Sequence, residues 1–212
     1  MARPISITKG KILAAALDIV RKGGPDALTA RSLSTALGCG ANALFTSFGS
    51  IQGIRDAVKA EARRLYKERV RAGFSLNPPF KGFGMAFLWF AVDEPELFSL
   101  IMDASTPTNS FKDYIDTFVG FKEECLAAIG ASFGLQDSDA EQFYYQMILV
   151  ALGLTQTCTR GSSTLTIPQA SEMLGKSARA FLMVIRAGAD DREKFVPGHP
   201  CGCRRPGKIR PR

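Results

Sequence analysis

The sequence predicts an all-α protein of about nine helices: three short helices over residues 1–50, then a larger helical domain over 51–188. Three observations carry this reading. Apolar residues recur at three- and four-residue steps through most of the chain, the spacing that lines one face of an α-helix. No segment alternates apolar and polar residues as a half-buried strand does, and no internal repeat appears. Glycine, proline and capping residues mark the ends of the periodic segments. With 46% hydrophobic residues the chain can build a sizeable core.

Taken in order, Ile12, Leu13, Ala16, Leu17 and Val20 mark a first helix over about 7–22, stopped by Gly23-Gly24-Pro25. Thr29 is an N-cap for a short second helix bearing Leu33, Ala36 and Leu37, and Gly38 ends it. After a turn of a few residues, Leu44, Phe45 and Phe48 give a third short stripe. Gly49-Ser50 then opens a long, basic connecting helix running to about 72. Asn77-Pro78-Pro79 is a linker. Beyond it lie an aromatic-rich helix over about 80–92, a short one after Pro95, and a long one around 110–133. The next break is Gly134 to Asp137. The helix over about 138–158 is apolar almost all round from Tyr144 to Leu152, so it should be buried on more than one side. Gly161-Ser162-Ser163-Thr164 reads as a loop. A last amphipathic helix has Pro168 in its first turn and Ala170, Met173, Leu174, Ala178, Phe181, Leu182 and Ile185 on its apolar face.

Charge divides the chain. The net charge is +7, but residues 1–72 carry +8, residues 73–188 carry −5 and residues 189–212 carry +4. A basic first third beside an acidic middle suggests that one region meets a polyanion and the other does not. No apolar run approaches the ~20 residues needed to span a bilayer. Met1-Ala2-Arg3-Pro4 lacks the apolar stretch of a secretory signal. Five scattered cysteines, an odd number, do not form a disulfide framework. The expectation is a cytoplasmic protein.

Three short helices with a tight turn between the second and third match the helix-turn-helix geometry. Ala41, Asn42, Thr46 and Ser47 fall opposite Leu44, Phe45 and Phe48, so a small, polar face can enter a major groove. An Asn side chain there can pair with adenine through two hydrogen bonds. Arg3, Lys9, Lys11 and Arg31 lie where phosphates can be neutralised.

The stretch from Thr29-Ala30-Arg31 through Leu37-Gly38-Cys39-Gly40-Ala41-Asn42-Ala43-Leu44-Phe45-Thr46-Ser47-Phe48-Gly49-Ser50 resembles the signature of the TetR family of repressors. In that pattern a Thr opens the second helix, Leu-Gly closes it, and an aromatic pair sits three apart near the end of the recognition helix. Phe90-Ala91 followed by Pro95-Glu96-Leu97-Phe98-Ser99-Leu100 is similar to a stretch in the ligand domain of one subgroup. The resemblance implies a homodimeric, ligand-responsive repressor on a palindromic site in double-stranded DNA, with no cofactor and no metal. It implies DNA contacts from Thr29, Arg31, Ala41, Asn42, Ala43, Phe45, Thr46 and Ser47, supported by Lys9 and Lys11. The chain departs from the pattern where Gly40 replaces Ser or Thr, Phe45 replaces Tyr, Ser47 replaces His or Tyr, and Ile51 replaces a phosphate-binding Lys. Losing phosphate contacts should weaken binding and flatten its salt dependence; either the extra basic residues of the N-terminal arm and the connecting helix compensate, or operator affinity is modest.

The resemblance also implies an apolar ligand cavity in the C-terminal domain. Expected around it are Phe87, Trp89, Phe90, Phe98 and Met102, together with Phe118, Phe121, Tyr144 and Met147. Gln146, Thr155 and Gln156 are candidate polar contacts. The last two helices resemble a four-helix dimer interface, with Met173, Ala178, Phe181, Leu182 and Ile185 at the contact. Residues 189–212 form a basic tail, and from Pro197 onward its proline, glycine and charge content reads as disordered. Its His199, Cys201 and Cys203 are too few and too closely spaced for a structural zinc site. Enzymatic function is not expected, because the single histidine lies in that tail and no nucleophile motif or phosphate loop is present. The alternative is a helical ligand-binding adaptor with weakened or lost DNA binding.

Overall fold

Side-chain caps set the starts of five of the ten described helices. In the computed structural model, which describes residues 7–103, 108–159 and 165–188, Thr8 accepts a hydrogen bond from the Lys11 N–H and opens α1 (Lys9–Gly23). A 3-10 turn, Pro25–Ala27, leads to α2 (Ala30–Leu37), then α3 (Ala41–Phe48) and the long α4 (Ile51–Gly73). The body continues with α5 (Pro79–Asp93), α6 (Pro95–Met102), α7 (Phe111–Phe118) and α8 (Lys122–Phe133). It ends with α9 (Asp137–Thr159) and α10 (Ile167–Arg186), and no strand occurs among the described residues. The basic tail of 189–212 and the loop expected at 161–164 lie outside the described residues.

One expected helix is two. The segment 110–133 breaks because Gly120 and Phe121 both turn left-handed, at φ 71° and 60°. The carbonyls freed there find distant partners: Tyr66 donates to the Val119 carbonyl at 2.8 Å and Tyr144 to that of Gly120 at 3.5 Å. The Val119 and Gly120 carbonyls at the reversal are therefore both paired.

α4 joins head and body. Ile54, Val58, Ala62, Tyr66 and Val70 form a buried row at four-residue steps along it. Its upper end packs with the head core of Ile12, Ala16, Leu33 and Leu44, and its lower end with Phe83, Phe87 and Phe90 of α5. α4 and α5 cross in backbone contact: a Cβ at Gly82 would collide with the Gly73 carbonyl, and one at Gly73 would stand 2.6 Å from the Gly82 carbonyl. Only glycine permits that approach. On the far side, Glu141 of α9 takes Lys112 and Lys122, each at 2.7 Å, and ties α7 and α8 to α9. The two ammonium groups hold the Glu141 carboxyl down at about 2.

Candidate nucleic-acid interface and ligand cavity

α2 is capped at both ends before the turn to α3. The Thr29 hydroxyl accepts the Ser32 N–H at 3.1 Å while Ser32 Oγ accepts the Thr29 N–H at 3.0 Å, a reciprocal capping box. The Thr29 side chain thus positions α2. Gly38 ends the helix in the left-handed conformation, and the Cys39 N–H donates to the Ser34 carbonyl at 3.1 Å. Gly40 opens α3 without a side-chain cap.

α3 is anchored by one residue, the fully buried Leu44, with Phe45 and Phe48 half-buried beside it. Its opposite face leaves Ala41, Asn42, Ala43 and Thr46 exposed and Ser47 half-exposed. Thr46 donates to the Asn42 backbone carbonyl at 2.9 Å, and the Asn42 side-chain amide is exposed on this face. Phe45 turns toward the core. Lys9 reaches from α1 to lie 5.0 Å over the Phe48 ring, bringing a cation to the end of α3. Lys11 and Arg31 are exposed and make no ion pair among the described residues. The remaining cations of α4 are largely engaged within the protein. Arg55 donates to the Leu28 carbonyl at 3.0 Å, Arg64 binds Glu61 and Glu68, and Arg69 binds Asp93 at 2.6 Å. Arg63 and Arg71 lie over the rings of Phe118 and Phe121.

A cavity of about 210 Å³ lies between α5, α9 and α10, with the end of α8 at its edge. Phe80, Phe83, Met147, Ile148, Leu174 and Leu182 form much of its wall, and the polar side chains among its lining are Lys81 and Arg179. Of the aromatic and Met residues expected around a single cavity, only Met147 faces this one. Phe87, Phe90 and Tyr144 are consumed by the core, where Tyr66 meets Phe87 and Phe90 edge-on at 6.1 and 5.5 Å and Phe87 meets Phe98 at 5.3 Å. Phe98 and Met102 border a separate recess beside Tyr114, and Phe118 and Phe121 border a third with Arg63 and Arg71. Trp89 is 39% exposed on the outer side of α5. Thr155 is buried and donates to the Leu152 carbonyl, Gln156 is exposed, and Gln146 has a buried Oε1 without a partner. The signal that sequence reasoning passed over was glycine: Gly84 and Gly175, each inside a helix, line the cavity.

α10 has two apolar faces. Leu174, Ala178, Leu182 and Ile185 turn inward, so Ala178 and Leu182 line the cavity, and Ile185, expected at a dimer contact, is 4% exposed in the subunit's own core. Phe181 is half-buried. The residues that project outward are Met173, Met183 and Val184, with Leu149 on neighbouring α9.

Burial pushes the Cys125 and Cys158 thiols up, away from thiolate chemistry. No group of three or more metal-ligating side chains comes together among the described residues. No helix among them is long and apolar enough to cross a membrane. By sequence, no family model and no curated protein matches the chain. By structure it is similar to a TetR-like transcriptional regulator from Rhodococcus sp. RHA1, with a TM-score of 0.61 at 12% identity over 86% of this chain and 99% of that one. It is also similar to a protein assigned as a transcriptional regulator from Pseudomonas aeruginosa PAO1, with a TM-score of 0.60 at 14% identity over 85% of this chain and 91% of that one. The chain has the all-helical fold of TetR-like transcriptional regulators.

Proposed function

We propose that the protein is a ligand-responsive regulator of transcription, a repressor that binds a palindromic DNA site as a homodimer and is released by a small apolar or amphipathic ligand. The observation that carries the reading is the α2–α3 unit. Its core-facing side is anchored by Leu33 and Leu44, while Ala41, Asn42, Ala43 and Thr46 stand exposed, Lys9 lies at the end of α3, and Lys11 and Arg31 are exposed cations of α1 and α2. An α-helix with small, polar outward residues fits the major groove, and flanking cations supply the phosphate contacts. The cavity between α5, α9 and α10 supplies the ligand side of the reading. A regulator of this kind works in the cytoplasm and needs no cofactor.

The test is selection of a binding site from random double-stranded DNA, followed by titration at several salt concentrations. A site with two-fold symmetry and half-sites about one helical turn or a multiple apart is expected. Asn42→Ala should cost about 1–3 kcal/mol at one base position and relax specificity there. A uniform loss over all sequences would instead make Asn42 a backbone contact. The engagement of Arg55, Arg64 and Arg69 within the protein favours a second reading, a helical ligand-binding adaptor without DNA binding. Absence of any salt-dependent DNA complex decides for the adaptor.

A further inference from the structure

The cavity between α5, α9 and α10 has a composition that names its ligand class. Its lining combines aliphatic and aromatic side chains, Pro78, Gly84 and Gly175, and two cations, with no acidic and no neutral polar side chain. Lys81 lies in the first turn of α5 and Arg179 in the middle of α10, both exposed at the mouth and neither in an ion pair among the described residues. Arg179 adds only a weak field to Glu172, whose partner is Lys176. α5 begins beside the cavity with no side-chain cap, and Pro78, Phe80 and Lys81 at its start are part of the lining. Two glycines keep the walls open. A Cβ at Gly84 would meet nothing within 4 Å, and a Cβ at Gly175 would stand 3.8 Å from Arg179 Nη1. Glycine inside a helix costs stability relative to alanine, and here it leaves space instead of a side chain.

We infer that this cavity binds an amphipathic monoanion: a medium-chain aliphatic or aryl carboxylate whose apolar body fills the slot and whose carboxylate lies between Lys81 and Arg179. The size agrees. About 210 Å³ exceeds the roughly 150 Å³ that holds a benzene-sized guest but is less than drug-sized pockets of about 300–1,000 Å³. The charge agrees, because two cations outside any ion pair, on a lining without acidic side chains, attract an anion and repel an amine of the same shape. This assignment rests on the proposed ligand-responsive reading but concerns binding to the protein alone.

The experiment is isothermal titration calorimetry of the full chain, without DNA, against hexanoate, octanoate, decanoate and 4-phenylbutyrate, with octanol and octylamine as uncharged and cationic controls. Octanoate should bind at least ten-fold more tightly than octanol or octylamine. Within the aliphatic series each methylene that enters the cavity should add about four-fold. Lys81→Gln and Arg179→Gln should each weaken octanoate five-fold or more while leaving octanol unchanged. Gly84→Leu should abolish binding and leave the melting temperature equal or higher, since leucine favours the helix and its Cβ meets no protein atom. Equal binding of acid, alcohol and amine, no binding of any of the four carboxylates below millimolar, or full binding by Gly84→Leu would each overturn the assignment. DNA titration of the same samples separates the two readings. Carboxylate binding without DNA binding sinks the regulator alone, and DNA binding without carboxylate binding sinks this assignment alone.

Discussion

Ile51 occupies the first position of α4, immediately after Ser50, whose hydroxyl accepts the Gly53 N–H at 3.1 Å. A Cβ at Gly53 would collide with the Phe48 carbonyl, so the start of α4 is pressed against the end of α3. Ile51 is half-buried against the core, with its outer side toward solvent. A lysine there can lay its methylenes over the same apolar surface and carry its ammonium outward. Ile51→Lys should therefore melt within a few degrees of the parent and bind specific and random DNA more tightly. The log K against log salt slope should steepen by about 0.9 per new phosphate contact per subunit. Unchanged melting with no gain in affinity would remove α4 from the DNA-facing side. Thr29 shows what sequence reasoning resolved at this scale and what it did not. Its role as an N-cap is legible from its place before the apolar stripe of α2, whereas the reciprocal bond from its own N–H to Ser32 Oγ appears only in the folded geometry.

Helix boundaries set by local chemistry were legible, and those set by distant partners were not. Thr29, Gly38 and Ser50 bound α2 and the start of α4 at positions the caps announce, while α1 starts behind the Thr8 cap at Lys9, two residues later than periodicity alone places it. The break between α7 and α8 depends on tyrosines 24 and 53 residues away, which no window of neighbouring residues contains. α10 hid its two faces for a related reason: it lies between the core and solvent and is apolar on both sides, so periodicity marks the apolar positions without saying which turn inward. The structure separates Ile185, 4% exposed, from Met183 and Val184, 73% and 61% exposed. Large apolar side chains exposed together mark an association surface. Met183→Asp combined with Val184→Asp should convert a homodimer to a folded monomer at micromolar concentration in sedimentation velocity, with melting in the parent range. Ile185→Asp should instead unfold the subunit, because it buries a charge without a partner. A monomeric parent, or a dimer indifferent to both outward aspartates, would dismiss α10 as the interface.

At the scale of the whole molecule, one of the ties between head and body is a bidentate ion pair. Arg21, in the last turn of α1, donates Nη2 to Glu94 Oε1 at 2.8 Å and Nε to Glu94 Oε2 at 2.9 Å. Glu94 stands at the junction of α5 and α6, and the adjoining Glu96 lies against the Gly24 turn, where a Cβ would come 2.8 Å from its carboxylate. α5 therefore has the cavity wall near its start, at Phe80 to Gly84, and the head contact just past its end, about 22 Å away along a 15-residue helix. Displacement of α5 by a ligand would be felt at Arg21 without any change inside the head. Arg21→Ala and Glu94→Ala test this as a coupling. Both side chains are partly exposed, so each variant should lose no more than about 1 kcal/mol of stability. Each should keep its own affinity for DNA and for octanoate. What should fall is the ratio of DNA dissociation constants with and without octanoate, from a typical allosteric range of about 5–150-fold toward one. Because coupling is reciprocal, DNA should shift octanoate affinity by the same factor in the parent and lose that effect in both variants. A full ratio surviving in Arg21→Ala and Glu94→Ala would mean that the signal travels along α4, whose buried row from Ile54 to Val70 is the other rigid connection between the two parts.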